Sequence, residues 1–147
     1  MLFKNILVPI DFSETSLHAL RLAVRMARHG NAKLTLLHVG MTPYPVVGNT
    51  WLPTSAELYE TWQNQLVTEQ TAAIKRIARE EIADDVEFRT VIREGFPPDE
   101  ILAEARSGSH DLVIIATHGR TGIERVVMGS VAERVIRACP VPVLSVR

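Results

Sequence analysis

The stretch Asp111–Val131, DLVIIATHGRTGIERVVMGSV, constrains this chain more than any other. Its apolar run Leu112-Val113-Ile114-Ile115-Ala116 is too short for a helix and rich in β-branched residues. Such a run reads as a strand buried on both faces, the kind found in parallel sheets. It breaks at Thr117-His118-Gly119-Arg120-Thr121-Gly122, where glycines and hydroxyls permit a backbone with several N–H groups turned outward. Gly129-Ser130 comes next, followed by Val131-Ala132-Glu133-Arg134-Val135-Ile136, which is helical in composition. Ser130 with Glu133 fits a capping box, so a helix is predicted to start there. A buried strand, a glycine loop and a second glycine at a helix start make a candidate anion cradle, because exposed amides and the positive helix end both favour negative charge. A tight turn followed by a helix cap would use the same glycines for geometry alone, and on chemistry both readings stay open.

Composition narrows the partners. At 147 residues the chain is long enough for one domain with a sizeable core, spanning residues 1–147. No apolar run approaches the roughly 20 residues of a transmembrane helix, and Met1-Leu2-Phe3-Lys4-Asn5 lacks the pattern of a signal peptide. Cys139 is the sole cysteine, which excludes an intrachain disulfide and points to a reducing compartment, by default the cytoplasm. A net charge of −1 gives no electrostatic reason to expect nucleic acid or an anionic membrane as partner.

Along the chain, strands and helices alternate. Phe3–Ile10 is the first strand candidate, ended by Pro9, which has no N–H for the ladder. Asp11-Phe12-Ser13-Glu14 supplies acceptors at a helix start, and Leu17, Leu20, Val24 and Ala27 recur at helical spacing. His29-Gly30-Asn31 closes that helix, with Gly30 as the left-handed cap. His18 and His29 read as surface residues. Lys33–Val39 is the second strand, with His38 a half-buried structural residue within it. Gly40–Pro53 is broken by prolines and glycines; Tyr44 and Trp51 in it either cover a ligand or partner, or simply pack. Thr54–Ala83 is predicted as one long helix with the stripe Leu58, Trp62, Leu66, Ala73 and Ile77. Val86–Ile92 is the third strand, Val86, Phe88, Thr90 and Ile92 sharing a face. Arg93-Glu94-Gly95 then turns into a helix opened by Pro97 and Pro98, packed through Ile101, Leu102 and Ala105 and ended at Gly108. After the central stretch, the last strand follows Pro140 and Pro142, which argues for an edge position open to pairing with another chain. Five strands alternating with four helices predict an α/β fold, a parallel sheet with helices on both faces.

The spacing Ala116-x2-Gly119-x9-Gly129-Ser130 resembles the nucleotide-binding signature of the universal stress protein family, which is Gly-x2-Gly-x9-Gly-Ser/Thr. Gly119, Gly129 and Ser130 match, and Ala116 stands where the family has its first glycine. Asn5-Ile6-Leu7-Val8-Pro9-Ile10-Asp11-Phe12-Ser13 is similar to the family's first strand and turn, and Cys139-Pro140-Val141-Pro142-Val143-Leu144-Ser145-Val146-Arg147 to its closing strand.

The resemblance implies a Rossmann-like, doubly wound sheet of order 3-2-1-4-5, related to the adenine nucleotide alpha hydrolases, in which Pro9–Asp11 and Ala116–Gly119 meet at the switch point. It implies ATP, with Mg2+ or Mn2+, as ligand, and a homodimer through Val141–Val146. The implied site residues are Pro9 and Asp11 beside adenine and ribose, Val39 contacting adenine through its backbone, Gly119, Arg120, Gly129, Ser130 and Val131 around the phosphates, Ala116 beside the ribose or the phosphates, and Ile115 next to it in the nucleotide site. Asp11 has a second reading as a helix N-cap. Arg120 and Arg125 are available for charge, or equally for solvent. Positive φ at position 116, if the family's geometry requires it, would cost an alanine about 1 kcal/mol.

Other functions have less behind them. An ATPase would need a Walker A sequence and an Asp or Glu pair near the phosphates for metal and water; neither is present, so the expectation is at most slow hydrolysis, with His118 the available base. Gly119-Arg120-Thr121-Gly122 matches the GXXG loop of KH domains, but those place a helix before the loop, and a pI near 6.5 lacks a basic footprint. A nucleotide-free, protein-binding dimer is the remaining alternative within the family, and the matched glycines and Ser130 argue against it.

Overall fold

A computed structural model gives the structure of the chain; it describes residues 3–41, 46–47, 50–51, 56–82, 84–117 and 128–147. The strands are β1 (Asn5–Pro9), β2 (Lys33–Gly40), a short antiparallel pair β3 (Val46–Val47) and β4 (Thr50–Trp51), then β5 (Phe88–Glu94), β6 (Leu112–Ala116) and β7 (Val143–Val146). The helices are α1 (Glu14–Gly30), α2 (Ala56–Glu81), α3 (Pro97–Arg106) and α4 (Ser130–Ala138). Five strands form one parallel sheet of order β5-β2-β1-β6-β7. Counted within that sheet alone, the order is 3-2-1-4-5, as expected. No helix among the described residues is long and apolar enough to cross a membrane.

Side-chain alternation explains why both faces are covered. Ile6, Val8, Leu34, Leu36, Leu112 and Ile114 point to one side and pack against α1 and α2. Leu7, Leu37, Val113 and Ile115 point to the other and meet Ile101, Ala105, Ala132 and Val135 of α3 and α4. A strand apolar at every position needs two such layers. The carboxylate of Asp111 fixes the start of the sheet, accepting from the backbone N–H groups of Lys4 at 2.7 Å and Asn5 at 3.0 Å. Asp111→Ala is expected to cost about 1–2 kcal/mol in urea unfolding, because two donors lose a charged acceptor near the surface.

Several expectations need correction at the local level. Asn31, not Gly30, adopts the left-handed conformation (φ 51) at the end of α1, a conformation asparagine tolerates. Arg93 and Glu94 belong to β5 rather than to a turn, and Gly95 alone turns, with φ +145. Phe88 is 41% exposed although Val86 and Ile92 join the core, because β5 is the sheet edge and Phe88 begins it, beyond helical cover. The stripe on α2 divides: Ile74, Ile77 and Ala78 are buried, whereas Trp62 and Leu66 project beyond the sheet. Leu58's side chain lies outside the described residues.

Beneath α3 is a charged cluster. Glu104 is buried, and its two carboxylate oxygens accept from Arg89 (2.9 Å) and Arg93. Arg89 also donates to Thr35 of β2, so the cluster ties α3 to the β5 side of the sheet. Burial pushes the Glu104 carboxyl up, but the Arg93 hydrogen bond and the charges of Arg93 and Arg89 outweigh it and hold the group below the usual carboxylate range. Burial pushes the adjacent His110 imidazole down, against the opposing pull of Glu104.

Candidate functional site

The strand order reverses at the middle of the sheet, since β1 is followed by β2 on one side and flanked by β6 on the other. Open α/β sheets bind ligands at such a point, beyond the carboxyl ends of the strands. A cleft of about 770 Å³ opens there, a volume suited to a small-molecule ligand. Pro9, Ile10 and Asp11 from the end of β1 meet Ile115, Ala116 and Thr117 from the end of β6 in its floor. Val39, Gly40 and Met41 flank it on the β2 side, overhung by Leu66, Gln70 and Ala73 of α2. Gly129, Ser130, Val131 and Ala132 close the opposite side.

That opposite side is built from donors that the helix itself leaves without an acceptor. Gly129 is the N-cap of α4, with no side chain to offer, and the first helical bond runs from the Glu133 N–H to the Gly129 carbonyl at 3.0 Å. The N–H groups of Ser130, Val131 and Ala132 therefore have no acceptor within the helix. A serine or aspartate at the cap would supply one and compete with an incoming anion. Ser130 is the first helical residue and not the cap, so the expected capping box is absent. The Gly129 N–H is also committed, donating to the Thr117 carbonyl at 2.7 Å, while Thr117 N–H donates to Val146 at 2.8 Å. These bonds lock the helix end to β6 and β7 and leave anion binding to the amides one to three residues further on.

The β1 end is shaped by a strained turn. Asp11 Oδ1 accepts from the Ser13 N–H at 3.0 Å and from the Ser13 hydroxyl. Ser13 is the true N-cap of α1, and its side chain accepts from Ser16 N–H. Asp11 is thus one step removed from the capping role it could have taken, and it holds the turn from the cleft floor. Between them Phe12 has φ 67, unusual for a bulky side chain. Its ring lies 4.2 Å from that of His38, whose Nδ1 donates to the Ile10 carbonyl at 2.7 Å. His38 is buried rather than half-buried, and its structural part in this turn fits the sequence reading. Strain of this kind persists where surrounding contacts over-determine it, commonly beside a ligand site.

Ala116 is not among the described residues with positive φ; it lies in β6 and pairs with Val146. An alanine there carries no backbone strain. Of the residues picked from sequence, Pro9, Asp11, Val39, Ile115, Ala116, Gly129, Ser130 and Val131 all line the cleft. Gly119 and Arg120 lie outside the described residues, as do His118, Gly122, Arg125, Tyr44 and the Trp51 side chain. Sequence reasoning passed over Gly40 and Gln70, and it assigned Trp62 and Leu66 to packing alone.

Comparison with known proteins decides the family. The family model described as "Universal stress protein family" matches residues 2–147. The chain belongs to the universal stress protein family. It is 35% identical to Universal stress protein MJ0531 of Methanocaldococcus jannaschii over 146 residues, 99% of this chain and 83% of that protein. The solved structure of MJ0577, also from Methanocaldococcus jannaschii, superposes with a TM-score of 0.82 at 29% identity, covering 99% of this chain and 96% of that one. The universal stress protein from Archaeoglobus fulgidus in complex with dAMP has a TM-score of 0.62 at 23% identity over the whole of both chains, which shows the common fold. In this universal stress protein, then, the sheet is a family feature.

Proposed function

We propose that this universal stress protein binds ATP in the cleft and acts as a regulatory, stress-response protein whose state depends on that nucleotide. The observation that carries the reading is the row of N–H groups at Ser130, Val131 and Ala132 that have no acceptor within α4, beside a cleft of about 770 Å³ that these residues line. A helix N-terminus with free amides favours phosphate oxygens. The apolar flank at Val39, Met41, Leu66 and Ala73 suits a flat base. The Ser130 hydroxyl stands at the same helix end and would donate to a phosphate, with Gly119 and Arg120 completing the cradle as the signature implies.

Among the described lining residues no lysine or arginine is present. A triphosphate would bring its own countercharge as Mg2+ or Mn2+, held by phosphate oxygens rather than by a protein cage. Among the described residues no cluster of three metal-ligating side chains occurs. Binding rather than turnover is proposed, since the chain has no Walker A lysine. The dAMP complex of the Archaeoglobus fulgidus protein is consistent with an adenine nucleotide in this fold. The edge strand β7, with Leu144 37% exposed, supports the homodimer through Val141–Val146.

Calorimetric titration with ATP and Mg2+ tests the reading. Saturable one-site binding that is lost in Gly129→Val is expected, because the valine side chain would stand at the cap beside the amides. No binding by the folded protein would overturn it and favour the nucleotide-free, protein-binding alternative.

A further inference from the structure

Three buried side-chain atoms among the described residues have no hydrogen-bond partner: Arg93 Nε, His110 Nε2 and Gln70 Oε1. The first two belong to the Glu104 cluster under α3. Gln70 is different, because it projects from α2 into the wall of the cleft, on the side away from the α4 amides. We propose that Gln70 is a specificity residue for the nucleotide, its carboxamide oxygen accepting a hydrogen bond from the 6-amino group of the base. This inference rests on the nucleotide reading above and deepens it.

The slot for the carboxamide is made by Gly40 at the end of β2. A Cβ on Gly40 would lie 2.7 Å from both Nε2 and Oε1 of Gln70, so only a residue without a side chain lets the carboxamide rest against the strand. Around it Val39, Met41, Leu66, Trp62 and Ala73 make a mainly apolar wall, with Glu69 its one charged residue among those described. An acceptor left without a donor in such a wall is unfavourable, and a ligand donor that reaches it recovers the deficit. The terminal torsion of glutamine is soft, so the carboxamide turns its oxygen toward the cleft at little cost.

The chemistry then selects the ligand. With phosphates on the α4 amides, the uncharged end of the nucleotide falls on the Gln70 side. A 6-aminopurine offers an N–H donor beside a ring-nitrogen acceptor, the pair a carboxamide matches with its own oxygen and N–H. A 6-oxopurine places a carbonyl where the amine would be, and that carbonyl cannot satisfy the Gln70 oxygen. Sites built to hydrogen-bond a donor reject analogues that lack it, because the buried acceptor is left unpaired.

The test is the ratio of ATP to ITP affinity, since the two differ at the purine 6-position and in protonation of the adjacent ring nitrogen. The wild-type protein is expected to prefer ATP by roughly 10- to 100-fold. Gln70→Leu is expected to lower the ratio several-fold by weakening ATP, with Val39 left to supply the remaining discrimination. Gly40→Ala is expected to do the same by a separate route, since the atoms nearest its methyl group are those of the flexible Gln70 carboxamide. Inorganic tripolyphosphate should bind wild type and both variants equally, showing that the amide end of the cleft is intact. Equal binding of ATP and ITP by wild type, or an unchanged ratio in both variants, would overturn the role of Gln70 while leaving the nucleotide reading standing. Failure of the folded wild-type protein to bind either nucleotide would overturn both.

Discussion

Ser130→Pro is expected to lower ATP affinity by about 2–4 kcal/mol, roughly 30- to 1000-fold, while the protein stays folded. Ser130 is the first residue of α4, where proline is well tolerated because its N–H has no helical acceptor in any case. The preceding residue must be extended, and Gly129 already has φ −60 and ψ 142. The substitution therefore removes one amide donor and one hydroxyl from the anion site and nothing that α4 needs. Ser130→Ala separates the two contributions: it keeps the amide, and its loss should be about tenfold or less. Thermal unfolding of both variants should stay close to wild type. A Ser130→Pro protein that binds ATP normally would show that the phosphates do not sit on this helix.

The largest stability effect away from the apolar core is expected at Glu104. Glu104→Leu should cost about 2–3 kcal/mol. Breaking a fully buried ion pair from one side costs about 3–5 kcal/mol, but Arg89 and Arg93 are partly exposed and regain water. The corresponding fall in melting temperature is about 5–10 °C for a domain of this size. The same cluster makes the fold acid-sensitive in two stages. The folded-state value of His110 is depressed below its ordinary 6.5, so the unfolded chain takes up the proton first and stability falls as pH drops below about 6.5. The folded-state value of Glu104 is depressed below its ordinary 4.5, so its contribution is present above that pH and lost as pH falls through the lower folded value. Melting curves from pH 8 to pH 3 should show both stages in wild type. His110→Leu should remove the upper one, and Glu104→Leu most of the lower.

The sheet was legible because β6 is apolar at every position from Leu112 to Ala116, and few folds bury such a run on two sides. The start of α4 was legible for a similar reason, a glycine followed by helix formers. Its cap was misread because Ser130 and Glu133 have capping-box spacing, whereas a glycine cap leaves no side-chain mark in the sequence. Asn31 and Gly30 show the same one-residue slip, since either residue type can take left-handed backbone. Trp62 and Leu66 expose a deeper limit: helical periodicity reports that a face is apolar, not whether a sheet or a cleft lies opposite. Gly40 was passed over because what it makes room for, Gln70, is brought to it only by the packing of α2 over β2. The residues around Pro9, Asp11 and Val39 came from the family resemblance, and the strand order explains why they converge on one cleft.

The most direct test is a titration of the protein with ATP and Mg2+ followed in backbone amide correlation spectra. The largest changes are expected at Ser130, Val131 and Ala132, with Val39 and Gly40 responding at the base end and the surface of α1 unchanged. Changes confined to residues outside the cleft, or none at the three α4 amides in a folded, saturated sample, would contradict the assignment of this helix end as the phosphate site.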